Sequence, residues 1–172
     1  MTRRRIHRGG FTLAETVLAS SILAIGGVAA LQAAGAAATA AQSAYQLATA
    51  QDLARDLLGE INERPAFGWS TEPVFNPNAT SPAKVTNRSF WTDVHDFHGL
   101  TNTPPIDENG YRVSNADGYT RSVRIAWVNS DLSDAVGGTD FMRVTIAVSY
   151  NGKPLEELVA YRTRTGDGWV HE

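Results

Sequence analysis

The chain has no cysteine. Disulfides, thiolate metal centres and cysteine nucleophiles are therefore excluded. It has little net charge: 15 basic against 18 acidic residues give −3. With a pI near 5.8, a nucleic-acid binder driven by bulk charge is disfavoured. Charge is also missing locally, with no Asp, Glu, Lys or Arg from Thr16 through Gln51. No P-loop, dinucleotide fingerprint or nucleophile motif is present, and His7, His95, His98 and His171 have no nucleophile motif beside them. No catalytic residue is assigned, and an anchored enzyme is the least supported class. Disorder is disfavoured too. Four Trp, five Tyr and six Phe in 172 residues can seed a core.

What is there falls into three regimes. Arg3, Arg4, Arg5 and Arg8 crowd the first ten residues. Removing those four from the 15 basic residues leaves 11 against 18 acidic ones, a net of −7 for the rest. An apolar run, 11–34, follows the basic tip. A helix of about 20 apolar residues crosses a hydrocarbon core of about 30 Å. Arginines beside such a span keep its near end cytoplasmic and predict export of the rest. A cleaved secretory signal is the competing reading, but its apolar stretch would stop near Ala24, and here it continues into an Ala-rich helix. Glu15 lies just inside the apolar edge. A carboxylate there either reaches interfacial water or needs a positive partner.

The stretch Arg8-Gly9-Gly10-Phe11-Thr12-Leu13-Ala14-Glu15 resembles the cleavage and methylation motif of type IV prepilins and type II secretion pseudopilins. The resemblance is close over Arg8 to Leu31 and only architectural beyond. It implies that a membrane-embedded prepilin peptidase cuts between Gly10 and Phe11 and N-methylates Phe11. It implies that Glu15 then pairs with the Phe11 amine of a neighbouring subunit during filament assembly. It also implies a platform protein, a cytoplasmic ATPase and other pilins or pseudopilins as partners, with membrane lipid around the helix. Ala14 departs from the family, which has a larger aliphatic there. Ile22-Leu23-Ala24-Ile25-Gly26-Gly27 is more similar to the minor pilin and pseudopilin branch than to the major pilins. A glycine at the cut lets a protease approach the scissile backbone. Pairing also offsets the burial of both charges, whereas either alone costs several kcal/mol.

The helix is expected to continue to Glu63, because Ala is the best helix former and Pro65 stops it at Arg64. Phe11 to Glu63 is 53 residues, about 80 Å of helix. Gly26, Gly27 and Gly35 soften it by roughly 1 kcal/mol each relative to Ala. Gly26 and Ala30 form a small-xxx-small pair that permits close helix contact. Leu47, Ala50, Leu53, Ala54, Leu57, Leu58 and Ile61 make an apolar stripe at three-and-four spacing. Asp52, Arg55, Asp56, Glu60 and Glu63 cover the other faces.

Residues 65–118 read as one long connection rich in Pro, Asn, Thr and Ser, pinned by Phe67, Trp69, Phe75, Phe90 and Trp91. Three strands follow. Tyr119, Val123, Ile125 and Trp127 share a face with Arg121, and Met142, Val144, Ile146, Val148 and Tyr150 share another. Asn151-Gly152 is a type I′ hairpin signal, and Leu155, Val159 and Tyr161 are expected in phase on the returning strand. Pro154 suits an edge or a strand start.

The expected fold class is α+β and pilin-like: a long N-terminal helix whose second half packs on an antiparallel sheet of three or more strands. Its parts are a cleaved leader (1–10), a transmembrane and filament-core helix (11–36), an amphipathic continuation (37–64) and an exported head (65–172). The protein would be single-pass in the inner membrane, with a cytoplasmic N-terminus and a periplasmic head, before entering a pilus or pseudopilus.

In the head, Asp93-Val-His95-Asp96-Phe-His98 is the dense cluster of ligand-type residues. It reads as a loop anchored by Val94 and Phe97, with calcium or another divalent metal as the alternative. No cofactor is otherwise expected. Asp131, Asp134 and Asp140 around Gly137-Gly138 read as a solvated hairpin loop. Arg162 and Arg164 are too few in an acidic head for nucleic acid. Two functional classes remain: a filament subunit, and a membrane-anchored module that captures secreted substrate or ligand through its head.

Overall fold

A computed structural model of the chain describes residues 10–65, 88–89, 91, 93–136 and 138–163. It divides into two compact units, Met1–Ala44 and Tyr45–Glu172. One helix, α1 (Leu13–Asn62), contributes to both.

In the first unit the described part is residues 10–44, essentially helix, and every one of these residues is exposed. Long, uncharged after Glu15 and Ala-rich, it is one helix apolar enough, by length and composition, to cross a membrane. Four of its hydroxyls bond its own backbone. Thr16 donates to Leu13 C=O, Ser20 to Thr16 C=O, Ser21 to Val17 C=O and Thr39 to Ala36 C=O, at 2.7–2.9 Å. Back-bonding of this kind leaves those hydroxyls no free donor to face hydrocarbon.

In the second unit, residues 45–62 of α1 carry the stripe. Ala50, Leu53, Ala54, Leu57 and Ile61 are buried, Leu58 is half-buried against them, and Leu47 lies outside at 40% exposure. Facing them is a four-stranded antiparallel sheet in the order β1 (Thr101–Asn102), β2 (Tyr119–Val128), β3 (Phe141–Tyr150) and β4 (Lys153–Thr163). The α+β layout and the antiparallel sheet are as expected, with one short extra strand. Val123, Ile125 and Trp127 from β2 and Met142, Val144, Ile146 and Val148 from β3 join the helix residues in one core. Each fully buried aliphatic contributes about 1.5–3 kcal/mol. The segment 65–118 is less irregular than its composition suggests. It holds a 3-10 turn, Val94–Phe97, as well as β1. Trp91 is buried edge-on to Phe97, with ring centres 4.7 Å apart. Phe67, Trp69, Phe75 and Phe90 lie outside the described residues.

The β3–β4 hairpin turns where the sequence predicts. Asn151 and Gly152 have φ of 47° and 80°, the two left-handed residues of a type I′ turn. Gly118 packs against the same turn. A Cβ there would lie 2.9 Å from Asn151 Oδ1, its φ is +81°, and its carbonyl accepts from Asn151 N–H at 2.8 Å. Both space and backbone therefore require glycine.

The phase of β4 differs from expectation. Val148 pairs with Glu156 and Ser149 with Pro154, so Leu155 is an additional residue in a bulge. Pro154 has no N–H to give the ladder, and one inserted residue reverses which side chains face the core. Glu156, Leu158, Ala160 and Arg162 consequently oppose the core residues of β3, while Val159 and Tyr161 are exposed on the other face. Leu155 still packs at the edge of the core.

Candidate functional site

The sequence places its candidate site at residues 8–15. Arg8 and Gly9 lie outside the described residues. Gly10 and Phe11 precede the helix, and Phe11 is 86% exposed. A Cβ on Gly10 would meet nothing within 4 Å, and its φ is outside the left-handed region. The fold places no demand for glycine at position 10.

The helix start is built by Thr12 and Glu15. Thr12 N–H and Oγ1–H donate to Glu15 Oε2 at 2.8 and 3.0 Å, and Glu15 N–H donates to Thr12 Oγ1 at 3.3 Å. This is a reciprocal capping box. The side chain of Glu15 therefore points back toward the peptide that follows Phe11, where the first N–H groups carry the positive end of the helix dipole. The sequence signal for Thr12 is the T-x-x-E spacing it makes with Glu15. Gly26, Gly27 and Gly35 likewise have nothing within 4 Å of an added Cβ.

In the head, the polar chemistry is concentrated behind α1. Arg88 is fully buried, and its Nε and Nη2 grip Glu60 Oε1 and Oε2 at 2.7 and 2.6 Å. Its Nη2 also donates to Ile106 C=O at 3.0 Å. Arg121 is 2% exposed and donates from Nη2 to the same carbonyl at 2.6 Å and from Nη1 to Leu53 C=O at 3.3 Å. Desolvation, with the Arg88 charge nearby, lowers Arg121 to about 10, against the raising effect of Glu60, Asp56 and Asp107. It stays protonated at neutral pH.

Further side chains of the sheet bond carbonyls of α1 and its end. Tyr119 Oη–H donates to Gln46 C=O at 3.2 Å, and Arg162 Nη1 donates to Ile61 and Arg64 C=O, each at 3.0 Å. Arg162 thus serves carbonyls at a helix end, with Ile61 C=O also accepting from Arg64 N–H at 3.2 Å. Arg164 lies outside the described residues.

The Asp93–His98 cluster is spent on structure. Val94 and Phe97 are fully buried. Asp93 caps the 3-10 turn, accepting from His95 N–H at 2.8 Å, while Asp93 N–H donates to Asp96 Oδ2 at 3.3 Å. Among the described residues no group of three or more His, Asp or Glu converges as a metal would require. Asp131 accepts from Ser133 N–H and Oγ–H, and Asp134 pairs with Arg143. No family model matches the chain, and no curated protein or solved structure matches it.

The Asp93 cap carries a pH dependence. Burial pushes its carboxyl up, but the hydrogen bond and charge of His95 and the backbone N–H groups of His95 and Asp96 outweigh that and hold it below the usual range. A depressed carboxyl stabilises the fold above its unfolded value of about 3.9, and the contribution fades as pH falls through the folded value. Protection of the His95 amide from hydrogen exchange should hold at neutral pH and decline below about pH 4. The expected loss is about 1 kcal/mol, the usual worth of such a cap. Asp93→Asn, which keeps an acceptor without the charge, should flatten the acid limb.

Proposed function

We propose that the chain is a structural subunit of a type IV pilus or type II secretion pseudopilus, of the minor branch. It is processed between Gly10 and Phe11 and assembled through α1. The observation that carries the reading is the coincidence at residues 8–15. A basic leader, a glycine that the fold does not need, an exposed Phe11 and a capped Glu15 all stand at the mouth of an uncharged helix. The helix from residue 13 to 44 is exposed throughout and is spaced with glycines that leave room for another helix to approach closely.

In this reading the basic leader holds the N-terminus in the cytoplasm and the head lies in the periplasm. Prepilin peptidase removes residues 1–10 and methylates the Phe11 amine. The mature subunit waits in the bilayer until the platform protein and ATPase draw it into the filament. There Glu15 of one subunit meets the Phe11 amine of the next. The mechanism is assembly, and no step of catalysis is assigned to the head. Burying an ion pair whose members belong to different subunits fixes the axial register of addition, since any other register strands both charges.

Mass spectrometry of the protein from cells that hold the peptidase tests the first step. The mature product should begin at Phe11 and carry one extra methyl group. Recovery of a chain that still begins at Met1 would exclude processing and the assembly that depends on it.

A further inference from the structure

The strap that leads from the 3-10 turn into β1 is joined to β2 partly by a side chain that stands in for backbone. Gly99 N–H donates to Val123 C=O at 3.0 Å and Val123 N–H to Leu100 C=O at 2.9 Å. Thr101 and Asn102 then pair with Ser122 and Arg121. Two residues on from Val123, Ile125 N–H is the next donor on that edge of β2. No strap carbonyl takes it. It donates to His98 Nδ1 at 3.1 Å. Ile125 is 2% exposed, so water is not an easy substitute. A ring nitrogen accepts only when it bears no proton. The bond therefore requires a neutral imidazole with its proton on Nε2.

The geometry points to a pH-operated clasp: His98 holds the strap against β2 while its ring is neutral and releases it once Nδ1 takes a proton. In the imidazolium both nitrogens are donors, so Nδ1–H and Ile125 N–H face each other. The ring must turn away and leave a buried amide unpaired. The contribution is present above the imidazole range and is lost as pH falls through it. Val94 and Phe97 on the turn and Leu100 on the strap are all buried and are the apolar surface that loosening would uncover. The charged or titratable side chains carried by the elements that meet here are Asp93, His95 and Asp96 on the turn and Arg121 and Arg124 on β2. β1 contributes none. Asp93 lies 3.4 Å from His95 Nδ1, so protonation of His95 tightens the turn and opposes the clasp in sign. Asp93 itself titrates below this window. The device belongs to the head and operates whether or not the chain assembles.

The test is hydrogen exchange by NMR on the full chain in detergent micelles, at about pH 7.5 and about pH 5, corrected for intrinsic exchange. The wild type should lose at least about tenfold protection at Ile125 and Gly99 at the lower pH, corresponding to about 1.4 kcal/mol. Ile146 in β3 should hold constant. His98→Asn offers an amide oxygen near the position of Nδ1 and carries no titrating group, so it should keep Ile125 protected at both values. His95→Gln, which removes the opposing contact with Asp93, should lose at least as much protection at Ile125 as the wild type does. Unchanged Ile125 protection in the wild type, or an acid loss in His98→Asn equal to that of the wild type, overturns the proposal. Should His98→Asn fail to fold, the ring nitrogen shifts of wild-type His98 decide. An Nε2–H tautomer at the higher pH supports the clasp, and an Nδ1–H tautomer removes it.

Discussion

Glu60→Leu is expected to destabilise the head by about 3–5 kcal/mol, the cost of stranding one member of a buried ion pair. That is a large share of the roughly 5–15 kcal/mol available to a domain. Glu60 is the bidentate partner of Arg88, and Arg88 has no exposed surface. Without the carboxylate, two guanidinium groups remain in the interior. Arg88 and Arg121 both donate to Ile106 C=O, and Glu60 is one of the charges that raise Arg121 against its own desolvation. Arg88→Met should cost less, because the orphaned Glu60 side chain keeps 13% exposure and can turn toward solvent. The double variant Glu60→Leu with Arg88→Met should recover most of the single loss, since an apolar pair of similar volume is often neutral at such sites. Urea denaturation of the full chain in detergent, followed by tryptophan fluorescence, reads this directly. The midpoint should fall steeply in Glu60→Leu and return in the double variant with an unchanged slope. A double-variant loss equal to the sum of the two single losses would mean that the pair has no coupling and that volume alone matters.

The same residues show where sequence reading reaches and where it stops. β2 and β3 were legible because each alternates over its first nine residues, and a period of two needs no long-range information. The stripe on α1 was legible for the same reason, at its own period. Arg121 was visible as a cation in phase with an apolar face, which marks a charge that will be buried and must find acceptors. Two of its acceptors, the Leu53 and Ile106 carbonyls, could not be named, because a backbone carbonyl carries no sequence signature, and the third, Asn102 Oδ1, lies 19 residues away on another strand. In sequence Glu60 falls on a face of the helix away from the apolar stripe. Its partner is 28 residues away across a connection without periodicity, so nothing local distinguished it from Asp56 or Glu63. The phase of β4 failed at a single residue. Pro154 advertised an edge, but whether the chain absorbs the missing N–H with a bulge depends on how β3 sits beside it. At the helix start the prepilin resemblance rests on residue types alone. The Thr12–Glu15 cap refines it, since Glu15 already has a partner within its own chain.

That local partner separates two roles of Glu15 that a simple truncation would confuse. Glu15→Ala removes both the cap and the charge. Glu15→Gln keeps an amide oxygen that can accept from Thr12 N–H, as Gln does in capping boxes, and loses only the charge. Thr12→Val keeps the charge and loses the reciprocal cap, at a cost of about 1 kcal/mol. If Glu15 acts as the counter-ion of a neighbouring Phe11 amine, Glu15→Gln should leave that amine buried and unpaired. A penalty of about 3–5 kcal/mol per contact reduces subunit addition by at least about a hundredfold. Glu15→Ala should be no worse than Glu15→Gln by more than the worth of the cap. Thr12→Val should assemble measurably, because its helix frays at the first turn while its carboxylate remains. Processing should be unaffected in Glu15→Gln, with the mature mass still beginning at Phe11, so that loss of filaments is not loss of cleavage. Sheared filaments are quantified by immunoblot against total membrane-held subunit, in cells that assemble the wild type. Wild-type filament yield from Glu15→Gln would show that charge at residue 15 is not what sets the register, and the carboxylate would then be a helix cap alone.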